Sequence, residues 1–420
     1  MKNEITLQTR REFLRRTVLG SSLAWTVPAF LADTFSALQA EAADSATQIV
    51  TGKDAPILVV LQMAGGNDGL NTVVPYANDF YHNARPKIGL KAEDVLKIDD
   101  SIGLHGAMKG FKELYDGGQL SIIQGVGYPN PNRSHFRSTE IWQTAAPDRF
   151  ERTGWLGRYL DDASLPQANL FNAVALAQVM PEAFVARKVD VPAIGAFRAY
   201  GLASDKQAST KAAFASLLHD ERVPFDSPYL ARVAEIEDHA QRGSEELPKL
   251  IGGYKTDAAY PATPLGRSLA LAAQMIGSRL GTRVVYVQHG SFDTHAAQKG
   301  TQDRLLRELA DALKAFYDDL AAHGNDTRTL TMTFSEFGRR VAENASRGTD
   351  HGEASPMFVV GGGVRGGLFG EHPSLDALDN GDAVYTVDFR SVYATILEKW
   401  MGRPSRNILA GDFPLVPMLA

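Results

Sequence analysis

A chain of 420 residues, 44% of them hydrophobic, is long enough to bury one large core or two modest ones. Its 43 lysines and arginines stand against 49 acidic residues; this mildly acidic balance gives no support to nucleic-acid binding, which favours a basic patch or stripe. There is no cysteine, so disulfides, iron–sulfur clusters, thiolate zinc sites and cysteine nucleophiles are excluded, and any metal must use histidine, carboxylate, amide, hydroxyl or water.

Residues 1–42 read as an address. Arg10-Arg11-Glu12-Phe13-Leu14 opens the segment, a moderately apolar stretch runs from Val18 to Leu38, and small residues follow at Ala40, Ala42 and Ala43. Basic, then apolar, then small and polar is the order of a cleaved export signal. The twin arginine followed by Phe-Leu resembles a twin-arginine signal, which implies passage through the twin-arginine machinery to the periplasm or beyond. An amphipathic anchor or tail is the plainer alternative. Trp25, Pro28 and Asp33 interrupt the apolar stretch, so no stable membrane span is expected after cleavage.

The remainder, 43–420, is expected to be a single α/β domain. Ile57 to Met63 is an apolar run broken only by Gln62, which suits a strand buried on both faces. Four more strands are expected at Leu120–Gln124, Arg283–Gln288, Thr327–Phe334 and Met357–Val360, each running into glycine or polar residues. Helical periodicity appears over Leu265–Ser278, Thr301–Ala322 and Asp388–Trp400. Alternation of strands and helices predicts a doubly wound, mostly parallel central sheet with helices on both faces. The more polar segment at about 204–262 is expected to be a helical excursion.

Five polar clusters sit near the strand ends, where an α/β fold places its chemistry. Asp68, among the glycines of GGNDG, is either a cation ligand or a turn residue. Arg133, Ser134, His135 and Arg137 concentrate two guanidiniums suited to an oxyanion, a hydroxyl that can attack when its proton is removed, and an imidazole able to ligate or carry a proton. A structured surface loop is the competing account. Asp293 and His295 are two apart and can face the same way on extended backbone, as ligands or as partners behind ligands. Glu336 follows a strand and can bind metal or accept from an arginine. Asp350-His351 precedes one, as a compact oxygen-plus-nitrogen donor pair. Such donors suit zinc, manganese, calcium or iron in different geometries.

Taken together, GGNDGLNTVVPY, LHGAM, NRSHFRSTEIW, TGWLGRYL, SFDTHAAQ, TFSEFGRR, DHGEASPMFVVGG and VDFRSVYATIL resemble the DUF1501 proteins, from Ala55 to about Gly402. That group is thought to be related to the alkaline phosphatase and sulfatase superfamily, and the resemblance implies its doubly wound fold and usually two divalent metals. On that pattern Asp68 stands in the place of the first metal aspartate, Ser134 in that of the nucleophile, Asp293 in that of a later metal aspartate, and Glu336 in that of the next strand-end aspartate. His351 takes the final histidine, although Asp350-His351 also fits the superfamily's paired Asp-His. The pattern expects a histidine at 297, where this chain has alanine. The resemblance thus implies an exported metal-dependent hydrolase of phosphate or sulfate esters. The alternatives are a non-catalytic metal-containing binding or assembly protein of the cell envelope, and a carbohydrate-active hydrolase using Asp293 and Glu336 as paired carboxylates.

Overall fold

The computed structural model describes residues 55–163, 170–189, 191–195, 247, 251–278 and 280–420. The expected signal at 1–42 and most of the expected excursion at 204–262 lie outside the described residues.

Thirteen strands follow one another among those residues: β1 Ile57–Met63, β2 Val73–Val74, β3 Val95–Lys97, β4 Gly103–His105, β5 Leu120–Gly127, β6 Ala173–Leu176, β7 Val284–His289, β8 Thr329–Phe334, β9 Ser355–Gly361, β10 Gly367–Phe369, β11 Leu378–Asp379, β12 Asp382–Ala383 and β13 Val387–Asp388. The main sheet runs β10-β5-β9-β8-β1-β7-β6, with β13 also paired to β5. β1 lies at its heart, parallel to β7 on one side and β8 on the other. All seven residues of β1 are buried, as its apolar run predicts.

Alternation along β1 assigns its side chains to two cores. Ile57, Val59, Leu61 and Met63 join one, filled by the helices Lys109–Asp116, Pro264–Gly277 and Gln298–Ala322. Leu58 and Val60 join the other, where Trp142, Trp155, Phe389 and Tyr393 pack. Helices therefore cover both faces. The longest, Gln298–Ala322, buries Leu305, Leu306, Leu309, Leu313, Phe316 and Leu320 along one stripe, each worth roughly 1.5–3 kcal/mol of transfer free energy.

The structure departs from the sequence expectation in direction and in extent. β9 is antiparallel to both its neighbours, β5 and β8. The connection from β8 to β9, residues 335–354, contains no helix. Without a crossover across a sheet face, the chain can only return from the edge at which it left. This one reversal brings the start of β9 to the carboxyl edge of β1, β7 and β8. The strand expected from Thr327 starts at Thr329, because Asp326–Arg328 forms a tight turn. The last expected helix ends at Thr395 and widens into a π-type turn over Ile396–Trp400. β6, only four residues long, has too short a pattern to be read from sequence.

Candidate metal centre

Five loops meet at the carboxyl edge. Gly65 and Gly66 leave β1 with φ of 118° and 74°, the left-handed region open to glycine. A Cβ on Gly65 would lie 2.5 Å from the Asp293 nitrogen, so glycine is required for the β1 and β7 loops to touch. That approach lets the Gly65 amide donate to Glu336 Oε1 at 2.7 Å. After β5, Tyr128 Oη takes the Asn132 amide at 3.0 Å and meets Ser138 Oγ at 2.7 Å. Ser138 Oγ in turn donates to the carbonyl of Glu336. The first turn of the helix His135–Thr144 is thereby fixed to the β8 loop, and His135 stands beside Glu336.

His135 Nδ1 lies 2.9 Å from Glu336 Oε1. A carboxylate only accepts, so it holds a proton on Nδ1; Nε2 then donates toward Asp293 when the ring is protonated and presents a lone pair to an ion when it is not. That Nε2 faces Asp293 Oδ2 at 3.5 Å. His351 repeats the arrangement. Its Nδ1 donates to the Arg133 carbonyl at 2.8 Å, and its Nε2 faces Asp293 Oδ1 at 3.1 Å. One donor atom each from His135, Asp293 and His351 falls within 4.8 Å of the others. Phe337 packs against both imidazoles, with ring centroids 4.9 and 4.5 Å away. Two imidazole nitrogens and a carboxylate, each with its orientation fixed from behind, suit zinc, manganese or iron. The buried Glu336 Oε2 has no hydrogen-bond partner among the described residues, so the cluster has a further donor in reserve.

Arg339 organises the loops and was not singled out by the sequence. Its side chain is fully buried and donates to Asp293 Oδ1 at 2.7 Å. It also reaches the carbonyls of Gly66 at 2.6 Å, Thr349 at 3.0 Å and Phe292 at 3.1 Å, and that of Gly65. One guanidinium thus joins the loops after β1, β7 and β8 to the approach to β9. The RR pair of TFSEFGRR marks the place, but nothing in the string says which arginine points inward.

The other candidate residues go elsewhere. Asp68 is 1% exposed; its Oδ2 pairs with the buried Arg85 at 2.6 Å and accepts from Gln298. It therefore serves as the counter-ion of Arg85 and lies outside the histidine–aspartate group. Ser134 is exposed at the start of its helix, and its hydroxyl makes no hydrogen bond among the described residues. Arg133 pairs with the buried Asp382. Arg137 pairs with Glu140 at 2.7 Å and donates to the Arg149 carbonyl at 2.9 Å. Each guanidinium is thus engaged by a carboxylate and has only part of its N–H groups left for an oxyanion. His295 Nδ1 approaches Asp293 Oδ1 at 3.0 Å, and its ring packs on that of His351. Asp350 is exposed and accepts from Asn344 at 3.0 Å. Ala297 is the left-handed residue before the helix Gln298–Ala322.

The charges follow the geometry. Burial alone would raise the Asp293 carboxyl, but its bonds to Arg339 and His351 outweigh this and hold it at about 2. The Glu336 hydrogen bond lifts His135 above the ordinary 6.5, against the opposing effect of burial. The cluster thus combines an ionised carboxylate with an imidazole that keeps its proton to higher pH than a free one.

These observations define an α/β protein with a histidine–carboxylate centre at the carboxyl edge of a mixed sheet. The chain belongs to the DUF1501 family: the model described as "Protein of unknown function (DUF1501)" matches residues 55–409. No curated protein matches it in sequence. Among solved structures it is similar to a protein in the alkaline phosphatase superfamily from Vibrio parahaemolyticus, at 9% identity and TM-score 0.36, over 84% of this chain and 70% of that one. It is similar to the PsFucS1 sulfatase from Pseudoalteromonas sp., at 12% identity and TM-score 0.36, over 93% and 75%. It is also similar to the C-terminal periplasmic domain of EcEptC from Escherichia coli in complex with Zn, at 9% identity and TM-score 0.32, over 73% of each. Likenesses this loose are silent on chemistry. No helix among the described residues is long and apolar enough to cross a membrane.

Proposed function

We propose that this protein is an exported, metal-dependent hydrolase of phosphate or sulfate esters, with a doubly wound, alkaline-phosphatase-like fold and a twin-arginine signal over residues 1–42. The observation that carries the reading is the pinning of two imidazoles. His135 and His351 each bind an acceptor through Nδ1 and turn Nε2 to the same carboxylate, Asp293. His135, His351 and Asp293 would hold a divalent ion, with Glu336 in reserve. Such an ion would polarise the ester and offset the charge that develops on its oxygens.

The chain's own residues supply the remainder. Arg339 keeps Asp293 ionised and in place. The Ser134 hydroxyl, or a water, would attack phosphorus or sulfur. Ser134 begins the helix His135–Thr144, whose positive end favours an anion there. With the Nε2 of His135 and of His351 committed to the centre, the half-exposed His295 is the imidazole left to carry a proton to the departing oxygen. The test is metal content together with turnover of an aryl phosphate and an aryl sulfate. Ser134→Ala should keep the metal and lose turnover; retained turnover would hand the attack to water.

One observation favours the second reading, a non-catalytic metal-containing protein of the cell envelope. Arg133 and Arg137, the residues best suited to hold an ester's oxygens, are already taken by Asp382 and Glu140. Wild-type protein that holds an ion tightly and turns over neither ester class would establish it.

A further inference from the structure

Beside the centre lies a cleft of about 350 Å³, bounded by the helix His135–Thr144 and the segment that follows β6. His135 and Glu336 belong to both the cleft and the centre. The cleft accounts for the one polar residue in the apolar run of β1. Gln62 is 4% exposed, and its Oε1 accepts from Tyr286 Oη at 2.6 Å. Gln143 Nε2 donates to the same hydroxyl at 3.1 Å. These bonds use the Gln62 carbonyl and leave its amide nitrogen with no protein partner among the described residues. Gln288, exposed near the end of β7, offers a whole side-chain amide on the same wall.

Amides donate and accept without carrying charge, which matches hydroxyl groups. No lysine or arginine is among the described residues that line the cleft, while Glu140 and Glu182 do line it. A second anionic group, as in a nucleotide or polyphosphate, would meet carboxylates and no cation. Glu140 is already neutralised by Arg137, so the acidic rim is weak as a cation trap. The rim also presents Phe136, 92% exposed and adjacent to His135, with Val179, 77% exposed, lining the same cleft. A solvent-facing aromatic ring next to a floor of amides provides an apolar face for C–H groups and polar partners for hydroxyls.

We propose that this cleft binds a neutral polyhydroxylated ring of pyranose type, as the alcohol part of an ester whose anionic end lies at His135, Asp293 and His351. The placement of the ester rests on the hydrolase reading, whereas binding of the neutral ring requires only the cleft. The test is saturation-transfer NMR on the full chain with a panel of neutral methyl hexopyranosides, and with choline as a cationic probe. Wild-type protein should transfer saturation to a pyranoside and little to choline. Phe136→Ala and Gln288→Ala, both at exposed positions, should each weaken that binding about tenfold in titration. No transfer to any pyranoside, transfer unaltered in both cleft variants, or preference for choline would each overturn the proposal. Pyranoside binding without ester turnover would uphold the cleft and refute the hydrolase reading alone.

Discussion

An imidazole that donates Nδ1–H to a fixed acceptor has only Nε2 left for an ion, and His135 and His351 both turn it toward one carboxylate, Asp293. Asp293→Asn keeps the size of that carboxylate and removes its charge. Because Asp293 is exposed in a loop, we expect a folded protein with little bound metal, read by elemental analysis alongside a thermal melt. Asp68 should behave in the opposite way. Its partner Arg85 is buried, so Asp68→Ala should cost about 3 kcal/mol in denaturant unfolding and leave metal content alone. Loss of metal with unchanged stability would return Asp68 to the ligand set. The distinction was not legible in GGNDG, because an aspartate among glycines is equally a turn residue, and Arg85 forms no motif with it. The pH dependence follows from the raised pKa of His135. In the metal-free protein the protonated His135 stabilises the fold fully below the unfolded value of 6.5, and that contribution fades as pH rises through the raised folded value. Metal must displace the same proton, so affinity should climb as pH is raised from 6.5 through the raised folded value. A flat affinity profile over that range would remove His135 from the ligands.

Strand direction decides which elements can contribute to the centre. Glu336 follows β8 and His351 precedes β9, and both reach one edge because β9 turns back against β8. The strand itself was legible as an apolar run. Its direction is legible only in the connection, since one without helical periodicity between two neighbouring strands is the pattern of a return at the same edge. Along that connection Arg339 ties the loop to four backbone carbonyls and to Asp293. Lysine keeps the charge but cannot reproduce the planar fork. Arg339→Lys should therefore lower metal affinity about 10–100-fold, the usual cost of losing a partner behind a ligand. Calorimetric titration would measure it, and an affinity within twofold of wild type would show that the clamp acts on the loops alone.

At the scale of the whole molecule, one sheet with a core on each face carries the centre at its edge, and these were the most legible features. Long apolar runs and a leucine stripe announce strands and a helix with little ambiguity, whereas short strands such as β6 and β10 hold too few residues to show a period. The proposed export signal is tested by changing Arg10 and Arg11 to lysine, which should trap precursor in the cytoplasm; normal export would exclude the twin-arginine route. The central claim is that His135, Asp293 and His351 together hold an ion. Its most direct test is elemental analysis of full-length protein purified without chelator or metal-affinity resin, with His351→Ala in parallel. The account predicts close to stoichiometric divalent metal in the wild type and a large loss in the variant with the fold retained. A metal-free wild type that takes up no zinc or manganese on addition, or a variant that keeps its full metal content, would contradict it.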